Sequence, residues 1–94
     1  MTPLLDERLT LSTAVALRPE PFGALAYHFG NRRLTFLKRP DLVAVVRALT
    51  GDRTARQVLA DCQVPEAQWE AYAVALQNLV DADMLTVAGQ EATP

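Results

Sequence analysis

The stretch Ala24-Leu-Ala-Tyr-His-Phe-Gly-Asn-Arg-Arg-Leu-Thr-Phe-Leu-Lys38, followed at once by Arg39-Pro-Asp-Leu-Val-Ala-Val-Val-Arg-Ala-Leu49, decides how this chain folds. Its first half alternates. Leu25, Tyr27 and Phe29 share one face of a strand, with Ala24, Ala26 and His28 on the other. Leu34 and Phe36 share a face of the next run, with Arg33, Thr35 and Leu37 opposite. Period-2 patterning with one clearly apolar face is the signature of half-buried β-structure. Gly30-Asn31 between the runs tolerates positive φ and predicts a two-residue hairpin turn. The period then changes to 3.6. Pro40 suits the first turn of a helix, and Asp41 complements the positive end of its dipole. Leu42, Val45, Val46 and Leu49 form the i, i+3, i+4, i+7 stripe of an amphipathic helix, which Gly51 ends.

Upstream of this stretch, Thr13–Arg18 adds a strand with Thr13, Val15 and Leu17 on one face. Arg18-Pro-Glu-Pro-Phe-Gly23 is turn chemistry, because its two prolines donate no ladder bonds. Downstream, Thr54-Ala-Arg-Gln57 fits a capping box and predicts a helix over Ala55–Cys62, burying Val58, Leu59 and Cys62. Pro65 opens a third helix to Asp83, with Trp69, Tyr72, Ala73, Leu76, Leu79 and Val80 as its stripe. Met84–Ala88 reads as a short terminal strand. A flexible N-terminal arm over 1–12 and a frayed tail over 89–94 leave a single domain over 13–88, with strands in 13–38 and helices in 40–83. Segregated strands and helices predict an α+β fold: a three-stranded antiparallel sheet followed by three helices packed on one of its faces. The short joint between the second and third helices adds a winged helix-turn-helix-like reading.

The chain has 94 residues, of which 50% are hydrophobic and 21% charged. That suffices for one modest core and argues against disorder. Its single cysteine, Cys62, excludes an internal disulfide and a multi-cysteine zinc site, and its single histidine, His28, excludes a paired-histidine metal motif. Neither GxGxxG nor GxxxxGK[ST] occurs, so no phosphate cradle is expected. No apolar run approaches the roughly 18 residues of a membrane span. The N-terminus has no export signal, so a cytoplasmic protein is expected. Cys62 is expected to be packing, and His28, alternating with Ala24 and Ala26, to face solvent or a helix edge. Asp81 and Asp83 lack an apolar pocket that would raise a carboxyl into catalytic range. The residues thus predict no enzyme, no catalytic residue, no bound metal and no cofactor.

The formal charge of −2 conceals an asymmetry. Residues 31–56 hold seven basic side chains against two acidic ones, a balance of +5, whereas residues 57–94 hold six acidic side chains and no basic one. A winged-helix DNA-binding transcription factor is the alternative function. Its reading helix, however, would carry Glu66, Glu70, Asp81 and Asp83 into the phosphates, so no nucleic acid is expected as a partner. Peptide binding remains. The third strand of a meander is an edge with unpaired N–H and C=O groups, onto which an extended peptide can add. Arg32, Arg33, Lys38 and Arg39 either guard that edge or select an acidic peptide. Trp69 and Tyr72 are either core aromatics or the wall of a groove beside it.

The segments Val15-Ala-Leu-Arg-Pro-Glu-Pro-Phe-Gly-Ala-Leu-Ala-Tyr-His-Phe-Gly30, Asn31-Arg-Arg-Leu-Thr-Phe-Leu-Lys38 and Pro40-Asp-Leu-Val-Ala-Val-Val-Arg-Ala-Leu49 closely resemble the family of mycofactocin-system peptide chaperones. These belong to the wider class of precursor-peptide recognition elements, similar to the chaperone of pyrroloquinoline quinone biosynthesis. The resemblance covers about Ala14 to Val87. It implies a winged-helix-like, non-catalytic protein that binds a short, ribosomally made, acidic precursor peptide. The leader would pair with the third strand, over Arg32, Arg33, Leu34, Thr35, Phe36 and Leu37. Trp69, Tyr72, Ala73 and Leu76 would line the helix side of the groove. The chaperone would present the peptide to a radical S-adenosylmethionine maturase, which decarboxylates the peptide's C-terminal tyrosine oxidatively and cross-links it to the neighbouring valine. The iron–sulfur clusters and S-adenosylmethionine would belong to that enzyme, since this chain lacks the cysteines to hold a cluster.

Overall fold

The computed structural model describes residues 3–88. After a 3-10 turn at Pro3–Asp6 come strands β1 (Leu9–Leu11), β2 (Val15–Glu20), β3 (Gly23–His28) and β4 (Leu34–Leu37). Helices α1 (Pro40–Ala48) and α2 (Ala55–Asp61), a 3-10 turn at Glu66–Gln68, helix α3 (Trp69–Asp81) and strand β5 (Leu85–Val87) complete the order. The expected α+β class, with a three-stranded antiparallel sheet and three helices, is present. The segment expected to fray, 89–94, lies outside the described residues.

The main sheet has the order β2-β3-β4, so β3 is central and β4, the third strand of the meander, is an edge. Its register runs from Val15↔His28 to Glu20↔Gly23 on one side of β3 and from Ala24↔Leu37 to Tyr27↔Leu34 on the other. Gly23 takes φ 146°, and a Cβ there would lie 2.1 Å from the Leu37 carbonyl oxygen. Only glycine fits where β3 starts beside the end of β4.

The alternation of β3 and β4 is present, but its sense is the reverse of a large-apolar-in pattern. Ala24 and Ala26 are 0% and 1% exposed and face the helices, whereas Phe29, Leu34 and Phe36 are 61%, 55% and 59% exposed. Small side chains on the inner face let α1, which packs over β3, come close. Helices α1, α2 and α3 then supply the bulk of the core, through Val43, Val45 and Val46, through Val58 and Leu59, and through Tyr72, Ala73, Leu76 and Leu79. Each of these larger apolar side chains contributes about 1.5–3 kcal/mol when fully buried.

Three local expectations are corrected. The turn after β3 is not a two-residue Gly30-Asn31 loop. Arg32 is the residue with positive φ, 63°. His28 accepts from the Arg32 N–H at 2.7 Å and donates to the Arg33 carbonyl at 3.0 Å, so two residues of the β4 side oppose one of β3, a bulge. His28 does not simply face solvent. Its Nδ1 accepts from the N–H groups of Gly30 at 3.0 Å and Asn31 at 3.1 Å, satisfying two turn donors. The described part of the N-terminal segment is not a loose arm either. Leu5 and Leu9 are buried, and β1 pairs antiparallel with β5 from Leu9↔Val87 to Leu11↔Leu85. The Ala55 N–H donates to Glu7 O at 2.9 Å, and the Arg56 guanidinium bonds the Asp6 carboxylate at 3.1 Å. Strand β5 forms within the short terminal strand expected over Met84–Ala88, whereas β1 carries too little periodicity to announce itself, and their pairing spans almost the whole chain.

Helix α2 starts with the expected capping box. Thr54 Oγ1 accepts from the Gln57 N–H at 3.2 Å, and Gln57 Oε1 accepts from the Thr54 N–H at 2.9 Å. The third helix is shorter than expected. Glu66–Gln68 forms a 3-10 turn, and regular helix begins at Trp69.

Candidate functional site

The feature that stands out is the free edge of β4. Because His28 exchanges both backbone bonds with the β4 side, the groups of Ala26 and Ala24 also point that way, by the two-residue period of a strand. Their partners Thr35 and Leu37 therefore turn their N–H and C=O groups into the sheet. Leu34 and Phe36 turn theirs outward, along the open edge. The opposite edge, β2, differs. By the same alternation Val15, Leu17 and Pro19 point away from β3 there, and Pro19 has no N–H to offer. The sheet thus has one edge able to donate along its length and one interrupted by proline.

Charge brackets the open edge. Arg32 and Arg33 precede β4 and Lys38 and Arg39 follow it, all exposed. The remaining basic residues of segment 31–56 divide. Arg53 bonds the Asp61 carboxylate and, at 3.2 Å, the Ala48 carbonyl, tying α2 to the end of α1. Its hydrogen bond to Asp61 pushes the guanidinium further above its ordinary value. The Thr50 hydroxyl donates to Asp52 at 2.6 Å and holds that carboxyl below its ordinary value. Arg56 pairs with Asp6 and lies 5.9 Å from the centre of the Trp69 ring. Among the described residues, Arg32, Arg33, Lys38 and Arg47 have no ion-pair partner.

Helix α3 meets the end of this edge through Arg39, whose guanidinium lies 5.5 Å from the centre of the Tyr72 ring. A cleft of about 40 Å³ beside them is lined by Arg39, Leu42, Ala71, Tyr72 and Ala75. The four residues expected on the helix side of a groove are therefore not together on a free surface. Ala73 and Leu76 are core, and Tyr72 is buried but borders the cleft. Trp69 turns toward α2, donating from Nε1 to the Val64 carbonyl at 2.9 Å. Ala71 and Ala75 face the cleft and were missed. Their signal is a pair of small residues four apart, one step round the helix from the Tyr72–Leu76 stripe. A larger hollow, about 530 Å³, lies elsewhere, between β1, β2 and α1, and holds one titratable side chain, Arg47.

The His28 Nδ1 is occupied by turn N–H groups, and Cys62 sits half-buried at the end of α2. Among the described residues no three His, Cys, Asp or Glu side chains lie close enough to hold a metal ion. None of the described helices is long and apolar enough to cross a membrane.

This small α+β module has an open sheet edge between four cations, the kind of surface onto which an extended chain can add. Comparison with known families gives the class a definite place. Residues 8–86 match the model of the Peptide chaperone MftB family, and the chain belongs to that family. It is 46% identical over 86 residues to the peptide chaperone MftB of Mycolicibacterium smegmatis, an alignment covering 92% of this chain and 84% of that one. It is 42% identical over 80 residues to the protein of the same name from Mycobacterium ulcerans and 41% over 80 residues to that from Mycobacterium tuberculosis, each alignment covering 85% of this chain and 73% of the relative. These relatives are named as peptide chaperones, not as enzymes. No solved structure matches the chain.

Proposed function

We propose that this protein is a non-catalytic chaperone for a short acidic precursor peptide, which it binds as a fourth strand along β4. It then presents the peptide to a radical S-adenosylmethionine maturase in mycofactocin biosynthesis. The observation that carries the binding mode is the edge itself: outward backbone groups at Leu34 and Phe36, flanked by Arg32, Arg33, Lys38 and Arg39. Backbone pairing supplies affinity whatever the peptide's sequence, and the flanking cations favour carboxylates in its leader. Thr35 and Leu37 hold the edge in place from the sheet side. Ala71 and Ala75 replace Trp69, Ala73 and Leu76 as the helix residues nearest the peptide, with Tyr72 beside them. The succession of a three-stranded sheet and three helices supports a winged helix-turn-helix-like description of the fold. The work is expected in the cytoplasm, where the partner's reduced clusters persist.

An amide NMR titration with the acidic precursor peptide of the same system tests this. Shifts and new exchange protection at Leu34 and Phe36, with smaller changes at Ala71 and Ala75, are expected. Shifts confined to β1 and β5 would overturn the site.

A further inference from the structure

The main sheet has a second surface that peptide pairing along β4 does not use. Its outer face, away from the helices, carries Leu25, Tyr27, Phe29, Leu34 and Phe36, and the exposed Phe22 ring packs against Phe36, edge to face, at 5.9 Å. Tyr27 and Phe29 make a second edge-to-face pair at 5.1 Å. Of the five large hydrophobic side chains that stay exposed among the described residues, four belong to this one patch. Phe22, Phe29 and Phe36 are 38%, 61% and 59% exposed, which leaves roughly 300 Å² of ring surface open if a whole side chain is taken as ~200 Å². A patch of that size falls in the range of the largest apolar patch on a typical monomer, and such patches are often functional.

The residues around the patch limit what covers it. Among the described residues, Arg32 and Arg33 at one end of the face and Lys38 at the other have no ion-pair partner, whereas Arg18 is neutralised by Glu20 at 3.2 Å. A second copy laid on the face would bring like charges together. A partner with an apolar patch rimmed by carboxylates fits instead. The face is also continuous with the open edge: Leu34 and Phe36 send their side chains onto the face and their backbone groups to the edge. A protein seated on the face would touch a peptide seated on the edge.

We infer that the outer face of the β2-β3-β4 sheet docks a folded partner protein through an acid-rimmed apolar surface, and that this partner is the enzyme receiving the peptide. The partner's identity rests on the function proposed above; the face does not. The test pairs Phe22→Gln with Phe29→Gln in one variant, since both side chains are exposed and neither residue belongs to β4. Circular dichroism and the NMR fingerprint verify its fold. Binding of the maturase and of the precursor peptide is then measured separately by calorimetry. At least a tenfold loss of maturase affinity with unchanged peptide affinity is expected. Unchanged maturase affinity in a folded variant would overturn the docking face. Were the native protein not to bind peptide at all, the proposed function would fall while the docking result still stood. Two further arms name the other occupants. Concentration-dependent dimerisation abolished by the variant, or binding to phosphatidylserine vesicles abolished by it, with maturase binding intact, would assign the face to a second copy or to a membrane and overturn the proposal.

Discussion

The Arg39 guanidinium lies 5.5 Å from the centre of the Tyr72 ring and so joins the end of β4 to the first turn of α3. Two halves of the chain with different periodicities meet there, and Arg39 remains exposed while Tyr72 is buried. A cation over an aromatic face at an exposed site contributes about 0.5–1 kcal/mol. Arg39→Ala is expected to lower stability by that amount in urea titration and to weaken binding of an acidic peptide in calorimetry. Arg39→Lys is expected to retain most of the peptide affinity, because it keeps the charge.

The direction in which each β4 residue points its backbone makes a sharper test. Phe36→Pro removes an N–H that faces the open edge and leaves the bonds to β3 in place. Phe36→Ala removes the same ring but keeps the N–H. Peptide affinity is expected to fall about tenfold or more for proline relative to alanine, with the two proteins equally folded by circular dichroism. Equal affinities would place the peptide elsewhere.

Arg32 occupies the left-handed region, φ 63°, at the bulge leading into β4. A side chain there costs on the order of 1 kcal/mol. Arg32→Gly relieves that strain, so the melting temperature is expected to rise by a few degrees. Peptide affinity is expected to drop in the same variant, most at low salt, because the lost charge is screened as ionic strength increases. A variant that is stabler and binds more weakly would show that the arginine is kept for its side chain.

Leu76 is fully buried in the core. Leu76→Ala is expected to destabilise the fold by about 2–5 kcal/mol in denaturant titration. Measured under conditions where the protein is still fully native, its peptide affinity is expected to change less than twofold. A large affinity loss in a stable variant would return Leu76 to the groove.

Much of this fold was legible because its signals are local. The Thr54–Gln57 capping box, Pro40 at the start of α1 and the alternation from Ala24 to Leu37 each act over a few residues. The sense of that alternation was not legible. Period 2 reveals that two faces differ, and whether the helices cover the leucine and phenylalanine face or the alanine face depends on how closely α1 approaches. The β1–β5 pair was only half legible: β5 forms within the terminal strand expected over Met84–Ala88, but its partner β1 is three residues of weak periodicity at the opposite end of the chain. At the site, the third strand of the meander was evident as an edge. Which of its residues face outward depends on the bulge at Arg32, and that bulge follows from His28 accepting two turn N–H groups.

Pro19 gives the sheet a stoichiometry. A sheet with two donor-rich edges is an open template that can take a strand on each side or link copies into ribbons. With the nitrogen of Pro19 pointing out of β2, this sheet has one vacancy. Under the proposed function it would take up one strand and then be complete, so a titration with peptide is expected to saturate at one per chain. The one-to-one complex would be a discrete unit for a second protein to recognise.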